Sequence, residues 1–180
     1  VPFCTVMMLP TPINNWAFQT IPQPGLNGRR GYQPRGKVLG GSSSINAMVY
    51  CRGLPGDFDD WAAMGNAGWS WADVRPVYER FEQPVDPQGQ PGGGADKPLF
   101  VSDVRHQLHP LEHRYFKAAE ETGLPFTDDF NGPQPEGVGR YRINTRRGLR
   151  WSAADAFLRP ALRRSNVRLR TGAMVQRVRF

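Results

Sequence analysis

The chain has 180 residues, of which 39% are hydrophobic and 22% charged, with 20 glycines and 17 prolines. Glycine and proline stay below the roughly 25–30% that marks low-complexity disorder, so the composition is that of a loop-rich globular chain. Two cysteines exclude a disulfide scaffold or a Cys-based zinc site. No run reaches the ~18 apolar residues of a membrane span, and no basic segment followed by an apolar core reads as a signal peptide. The chain starts at Val1 rather than Met and stops at Phe180 in or just after a strand-like stretch. It is therefore read as a piece of something larger.

The net charge of +7 is uneven. Residues 140–180 carry twelve arginines against one acid, Asp155. Such a block is the usual footprint of a nucleic-acid binder. Against this, the arginines interleave with apolar residues, and Tyr141 and Trp151 are the nearest stacking aromatics. The alternative is a solvated or domain-facing surface.

In chain order, residues 1–35 read as an extended segment punctuated by Pro2, Pro10, Pro12, Pro22, Pro24 and Pro34, with Trp16, Phe18 and Ile21 as anchors. A glycine-rich loop then leads into a helix over 45–50. Asp57 is placed as the N-cap of a short helix through Trp61 and Ala62. Ser70 and Asp73 have capping-box spacing, and Val74, Val77, Tyr78 and Phe81 predict a helix to about Phe81. Residues 84–98 read as a proline- and glycine-rich loop, and Leu99–Ser102 as a strand. Pro110 opens a helix through Glu121, closed by Gly123. A strand comes next over 138–144. Ser152 caps a helix carrying Phe157, Leu158 and Leu162, and Val167, Leu169 and Thr171 alternate as a final strand.

Gly40–Ser44 is the most informative feature. Glycine lacks a Cβ and lets backbone N–H groups approach a ligand, and a helix start just after it favours phosphate. The bland reading is a tight turn with ordinary serines. Gly31 to Lys37 imitates a nucleoside-triphosphate loop, but Val38 stands where Ser or Thr must hold magnesium. His106, His109 and His113 have a metal-like spacing, yet Pro110 interrupts them and a solvated helix start is preferred. Serines 42–44 lack a nucleophile elbow, and Asp128 and Asp129 read as a turn.

The string Asn14-Asn15-Trp16-Ala17-Phe18, then Pro34-Arg35-Gly36-Lys37-Val38-Leu39-Gly40-Gly41-Ser42-Ser43-Ser44-Ile45-Asn46-Ala47-Met48-Val49-Tyr50, resembles the glucose–methanol–choline (GMC) flavin oxidoreductases. The likeness continues through Gly68-Trp69-Ser70, Asp129-Phe130-Asn131-Gly132 and Gly148-Leu149-Arg150-Trp151-Ser152-Ala153-Ala154. Its implied fold is α/β with α+β: part of a Rossmann-like FAD-binding domain plus part of an antiparallel-sheet substrate domain. The expected division is a flavin lid and glycine-rich segment over 1–56, a portion reaching into the substrate domain over 57–144, and FAD-domain helix and strand over 145–180.

The resemblance places Arg35, Gly36, Val38, Gly40, Gly41, Ser42 and Ser44 in the FAD shell, Asn46, Ala47, Met48 and Val49 along the flavin, and Val175 at the adenine. Some relatives bind FAD covalently through a His where this chain has Ile45, so FAD is expected to be non-covalent here. The family's dinucleotide fingerprint and catalytic His are expected outside the chain, leaving no catalytic residue within it. The implied reaction is oxidation of a primary alcohol or choline to the aldehyde. The implied electron acceptor is a quinone or carrier. No metal and no nucleic acid are expected, and the implied location is cytoplasmic, with membrane association of the parent as an alternative. A basic nucleic-acid module and a non-functional remnant are the rival readings.

Overall fold

The computed structural model describes residues 9–94, 96–107 and 109–180. Pro2 and Cys4 lie outside them. The fold is mixed α/β. Its centre is a four-stranded sheet made of β3 (Val49–Tyr50), β8 (Arg142–Ile143), β5 (Leu99–Ser102) and β4 (Glu82–Val85), in that order. β3 and β5 run antiparallel to β8, sharing Ile143 as partner of Val49 and Ser102. β4 and β5 are parallel, with Glu82 opposite Leu99 and Val85 opposite Ser102. Small two-stranded pairs surround this sheet: β1 (Phe18–Gln19) with β2 (Tyr32–Gln33), β6 (Phe126–Thr127) with β7 (Val138–Gly139), and β9 (Thr145–Arg146) with β10 (Leu149–Arg150).

The strand β4 departs from the sequence reading, in which residues 84–98 are all loop. Proline has no N–H for a ladder and is confined to sheet edges; β4 is the edge strand, so Pro84 fits there. Gln83, 1% exposed, ties down the connection to β5. Its amide donates to the Gly92 carbonyl, and its Oε1 accepts from Lys97 N at 2.9 Å.

Helix α1 spans Pro55–Ala63, with Leu54 as its N-cap. Asp57, expected as the cap, sits one turn inside, where its carboxylate accepts from Leu54 N at 3.0 Å. Proline at N1 explains the shift, since its missing N–H is an orphan there anyway. Helix α2 spans Trp71–Phe81 and starts at Ser70 as predicted, with Ser70 Oγ accepting from Asp73 N at 3.3 Å. Phe58 of α1 stands edge-on to Tyr78 of α2 and tilted to Trp71, so an aromatic cluster joins the helices. Helix α3 spans Leu111–Glu121, and Gly123 comes after it with φ +89°. Pro110 is the N-cap of α3, and His109 Nδ1, one residue before it, accepts from Leu111 N at 3.2 Å. The predicted strand over 138–144 is split into β7 and β8. The helix expected after Ser152 is a π turn, Ala154–Leu158, running into a short α4 (Arg159–Ala161).

The expected final strand is absent. Residues 167–180 form no strand, and Val175 and Val178 are exposed; among the described residues no neighbouring strand offers them a ladder. Trp16 and Phe18 stack on each other at 5.8 Å and remain 38% and 52% exposed, with Lys37 Nζ over the Trp16 ring at 4.6 Å.

Just past β5, Asp103 receives Arg105 N at 3.0 Å and the Arg105 guanidinium at 2.6 and 2.9 Å. Burial pushes its carboxyl up, but these hydrogen bonds and the charges of Arg105 and Arg142 outweigh burial and hold it below its ordinary value. A depressed folded-state pKa stabilises the fold above the unfolded value, near 3.9, and that stability is lost as pH falls through the folded value. Melting temperature is therefore expected to drop below about pH 4, and Asp103→Asn to remove part of that drop. A melting curve against pH for both proteins is the check.

Candidate cofactor site

The glycine-rich segment does not become a helix. A single 3-10 turn, Gly41–Ser44, is succeeded by Ile45 and then β3. Met48 adopts φ +66°, which ends any helical run before the strand. The expected long helix start is thus replaced by a tight turn.

Three glycines shape this turn. Gly36 lies against Gly41, so that a Cβ on Gly36 would fall on the Gly41 carbonyl. Gly40 has φ +87°, and a Cβ there would meet Ser44 Oγ and Ala154. Gly41 has φ +56° with open space where its Cβ would point. The backbone is consequently bare on one side. Around it Val38, Ser42, Asn46, Ala47 and Val49 are exposed.

The other side is tied inward. Ser44 Oγ donates to Leu39 O at 2.8 Å and Ser43 Oγ to Gly40 O at 2.6 Å. Ser42 Oγ accepts from Gly36 N at 3.2 Å. Ser43 Oγ also accepts from Ala153 N at 2.9 Å. The Arg150 guanidinium donates to Ser43 O at 3.0 Å and to the Asn46 carbonyl at 2.7 Å. On the N-terminal flank, Asn15 is 2% exposed. Its Oδ1 accepts from Ala17 N and Arg35 N, and its Nδ2 donates to Leu9 O, Thr11 O and Tyr32 Oη. An antiparallel bridge pairs Asn15 with Gly36. One buried amide thereby joins the first segment to the glycine turn.

The residues singled out from the sequence do not all share one surface. Gly36, Gly40, Gly41, Ser42, Ser44 and Val38 form the turn. Arg35 is pinned through its backbone, while its guanidinium stays exposed and donates to Pro34 O at 2.6 Å. Ala47 and Val49 are exposed, whereas Met48 between them, with its left-handed backbone, is buried at 3% exposure. Met48 instead lines a cavity of about 1020 Å³ with Phe100, Ser102, His106, Arg146 and Arg150. Val175 is 76% exposed and belongs to no strand. Sequence reasoning missed Ser43, Asn15, Arg150 and Ala153. All four stand inside the quoted family strings, which was the available signal.

Beyond the turn, at the end of β3, Tyr50 and Arg52 meet Glu82, which is 6% exposed. The Arg52 guanidinium grips both of its oxygens, with Arg52 Nε at 2.9 Å from Oε1, and the Tyr50 hydroxyl donates to Oε1. Burial first, and then the hydrogen bond and charge of Glu82, raise the Tyr50 phenol above its ordinary value. Asn131 Oδ1 accepts from Arg52 N at 2.6 Å, which draws the 129–132 turn to the same place.

Five of the twelve arginines in the basic block have partners within the molecule, while Arg147, Arg163, Arg164, Arg168, Arg170, Arg177 and Arg179 are exposed. Arg140 pairs with Glu112, Arg142 with Asp129 at 3.2 Å and Arg159 with Asp155 at 2.9 Å. Arg146 lies over Phe100 and Trp151 at 4.3 and 4.8 Å, and Arg150 grips the turn. These five are held by acids, aromatic rings or the turn, and the exposed arginines cluster toward the C-terminal end of the block.

The sequence model of the GMC oxidoreductase family matches residues 4–180. The chain belongs to the GMC oxidoreductases. It is 49% identical over 156 residues to an oxygen-dependent choline dehydrogenase of Sinorhizobium medicae, covering 86% of this chain and 28% of that protein. The GMC chain thus spans 28% of the length of this curated relative. Among solved structures it is similar to pyridoxine 4-oxidase from Mesorbium loti, with TM-score 0.76 and 32% identity over 90% of this chain and 32% of that one. It is also similar to an FAD-dependent oxidoreductase from Chaetomium thermophilum, with TM-score 0.72 and 31% identity over 84% of this chain and 28% of that one. Among the described residues of this GMC chain, no helix is long and apolar enough to cross a membrane.

Proposed function

We propose that these residues form one wall of the FAD site in a flavin-dependent alcohol oxidoreductase of the choline dehydrogenase type. The observation that carries this reading is the bare glycine turn at 36–44, open over Gly41 and braced from behind by residues 150–154. An open Gly41 lets backbone come close to an anionic group. Exposed Val38, Ala47 and Val49 add apolar contact for a flat ring system. The residues present therefore fit FAD.

When bound, FAD supplies the acceptor for a hydride leaving the substrate carbinol carbon. The turn of Gly40 to Ser44 would hold and orient the cofactor, and Ala47 and Val49 would exclude water from its face. Ile45 is buried at 3% exposure and offers no nucleophile, so attachment is non-covalent. No residue here is assigned as general base. The substrate is a primary alcohol or choline, oxidised to the aldehyde, with a quinone or carrier as electron acceptor. The division at 56 and 144 into lid, substrate-domain portion and FAD-domain portion belongs to the same proposal, as does the adenine contact at Val175.

The test is spectroscopic. The purified protein containing these residues is expected to show flavin absorbance, and acid precipitation is expected to release that flavin into the supernatant. Colourless protein would sink the reading; flavin retained in the pellet would overturn the non-covalent part alone.

A further inference from the structure

We propose that Arg150 is a positioning residue for this cofactor wall: its guanidinium, forked across the backbone of Ser43 and Asn46, sets the turn in its binding shape. The assignment rests on the FAD reading above. Arg150 Nη1 donates to Ser43 O at 3.0 Å and to Asn46 Oδ1 at 2.9 Å, while Nη2 donates to Asn46 O at 2.7 Å. The same Asn46 Oδ1 accepts from Met48 N at 3.0 Å. One cation therefore fixes both ends of the step from the 3-10 turn into β3. That step contains Met48 at φ +66°, a left-handed conformation that L-residues avoid unless held. Ala47 and Val49 flank Met48, so its backbone sets how the two are aimed relative to each other.

Arginine is suited to this because its rigid planar fork reaches several acceptors at once. A lysine ammonium keeps the charge but not the fork. The experiment measures FAD affinity, the visible flavin spectrum and apoprotein melting for the wild type, Arg150→Lys and Arg150→Met, in the purified protein containing this chain. Loss of a charge-assisted hydrogen bond should weaken FAD binding by about tenfold or more in Arg150→Lys, and further in Arg150→Met, with altered flavin band structure in both. Wild-type affinity and spectrum in both variants would overturn the assignment, whatever their melting temperatures. Loss of FAD only in step with loss of folding would make Arg150 scaffold instead. A wild type without flavin would overturn the FAD reading itself, and this assignment with it.

Discussion

Gly36→Ala is expected to lower the melting temperature by roughly 6–12 °C, the equivalent of about 3 kcal/mol in a chain of this length. The added methyl falls on the carbonyl of Gly41, a backbone group with no rotamer to escape through. Relief requires moving residues 36 and 41 apart, which breaks the Gly36 N–H bond to Ser42 Oγ and strains the Asn15–Gly36 bridge. Flavin should be lost along with stability, because the displaced residues are the turn itself. Gly41→Ala is the informative comparison. Its Cβ meets nothing, so the cost is limited to the left-handed backbone, about 1–2 kcal/mol. The methyl would nevertheless stand on the open face, where it should weaken FAD more than it weakens the fold. Equal melting of Gly36→Ala and wild type would refute the close approach.

Glu82→Ala should be at least as damaging, by about 3–5 kcal/mol in denaturant or thermal unfolding. Removing one partner of a buried pair leaves the other charge uncompensated, and here Arg52 loses both acceptors while the Tyr50 hydroxyl loses its own. Arg52 keeps 21% side-chain exposure, which favours the lower end of that range. The double variant Glu82→Leu with Arg52→Leu should recover part of the loss, because it removes the stranded cation as well. A single variant no less stable than the wild type would show that solvent already screens the pair.

Sequence signals are legible where the chemistry is local. The box formed by Ser70 and Asp73 locates the start of α2, and the apolar run Leu99–Ser102 coincides with β5. The glycine spacing at 36–41 also points to a tight, ligand-accessible backbone. Residues 45–50 look helical in sequence but are not, because the end of the turn depends on one left-handed residue, Met48, held by the Asn46 side chain. The strand β4 is hidden by Pro84, acceptable only because of its edge position, which no local pattern announces. The expected final strand rests on alternation alone, and alternation cannot supply a partner to pair with. The brace behind the site is illegible for a related reason. Arg150 and Ala153 reach residues more than a hundred positions earlier, and single-chain periodicity carries no information over that distance.

That separation has a consequence for the order in which the molecule is made. The glycine turn leaves the ribosome long before residues 150–153, its brace. At about 5–20 residues per second, the gap lasts roughly 5–20 s. During this interval the turn lacks the Arg150 and Ala153 contacts and keeps only its local bonds, such as Met48 N to Asn46 Oδ1 and Ser43 Oγ to Gly40 O, so the nascent turn samples other shapes. Slow pausing sites or synonymous codons between the two segments would lengthen this window, and so tune the yield of correctly closed protein without changing a single amino acid.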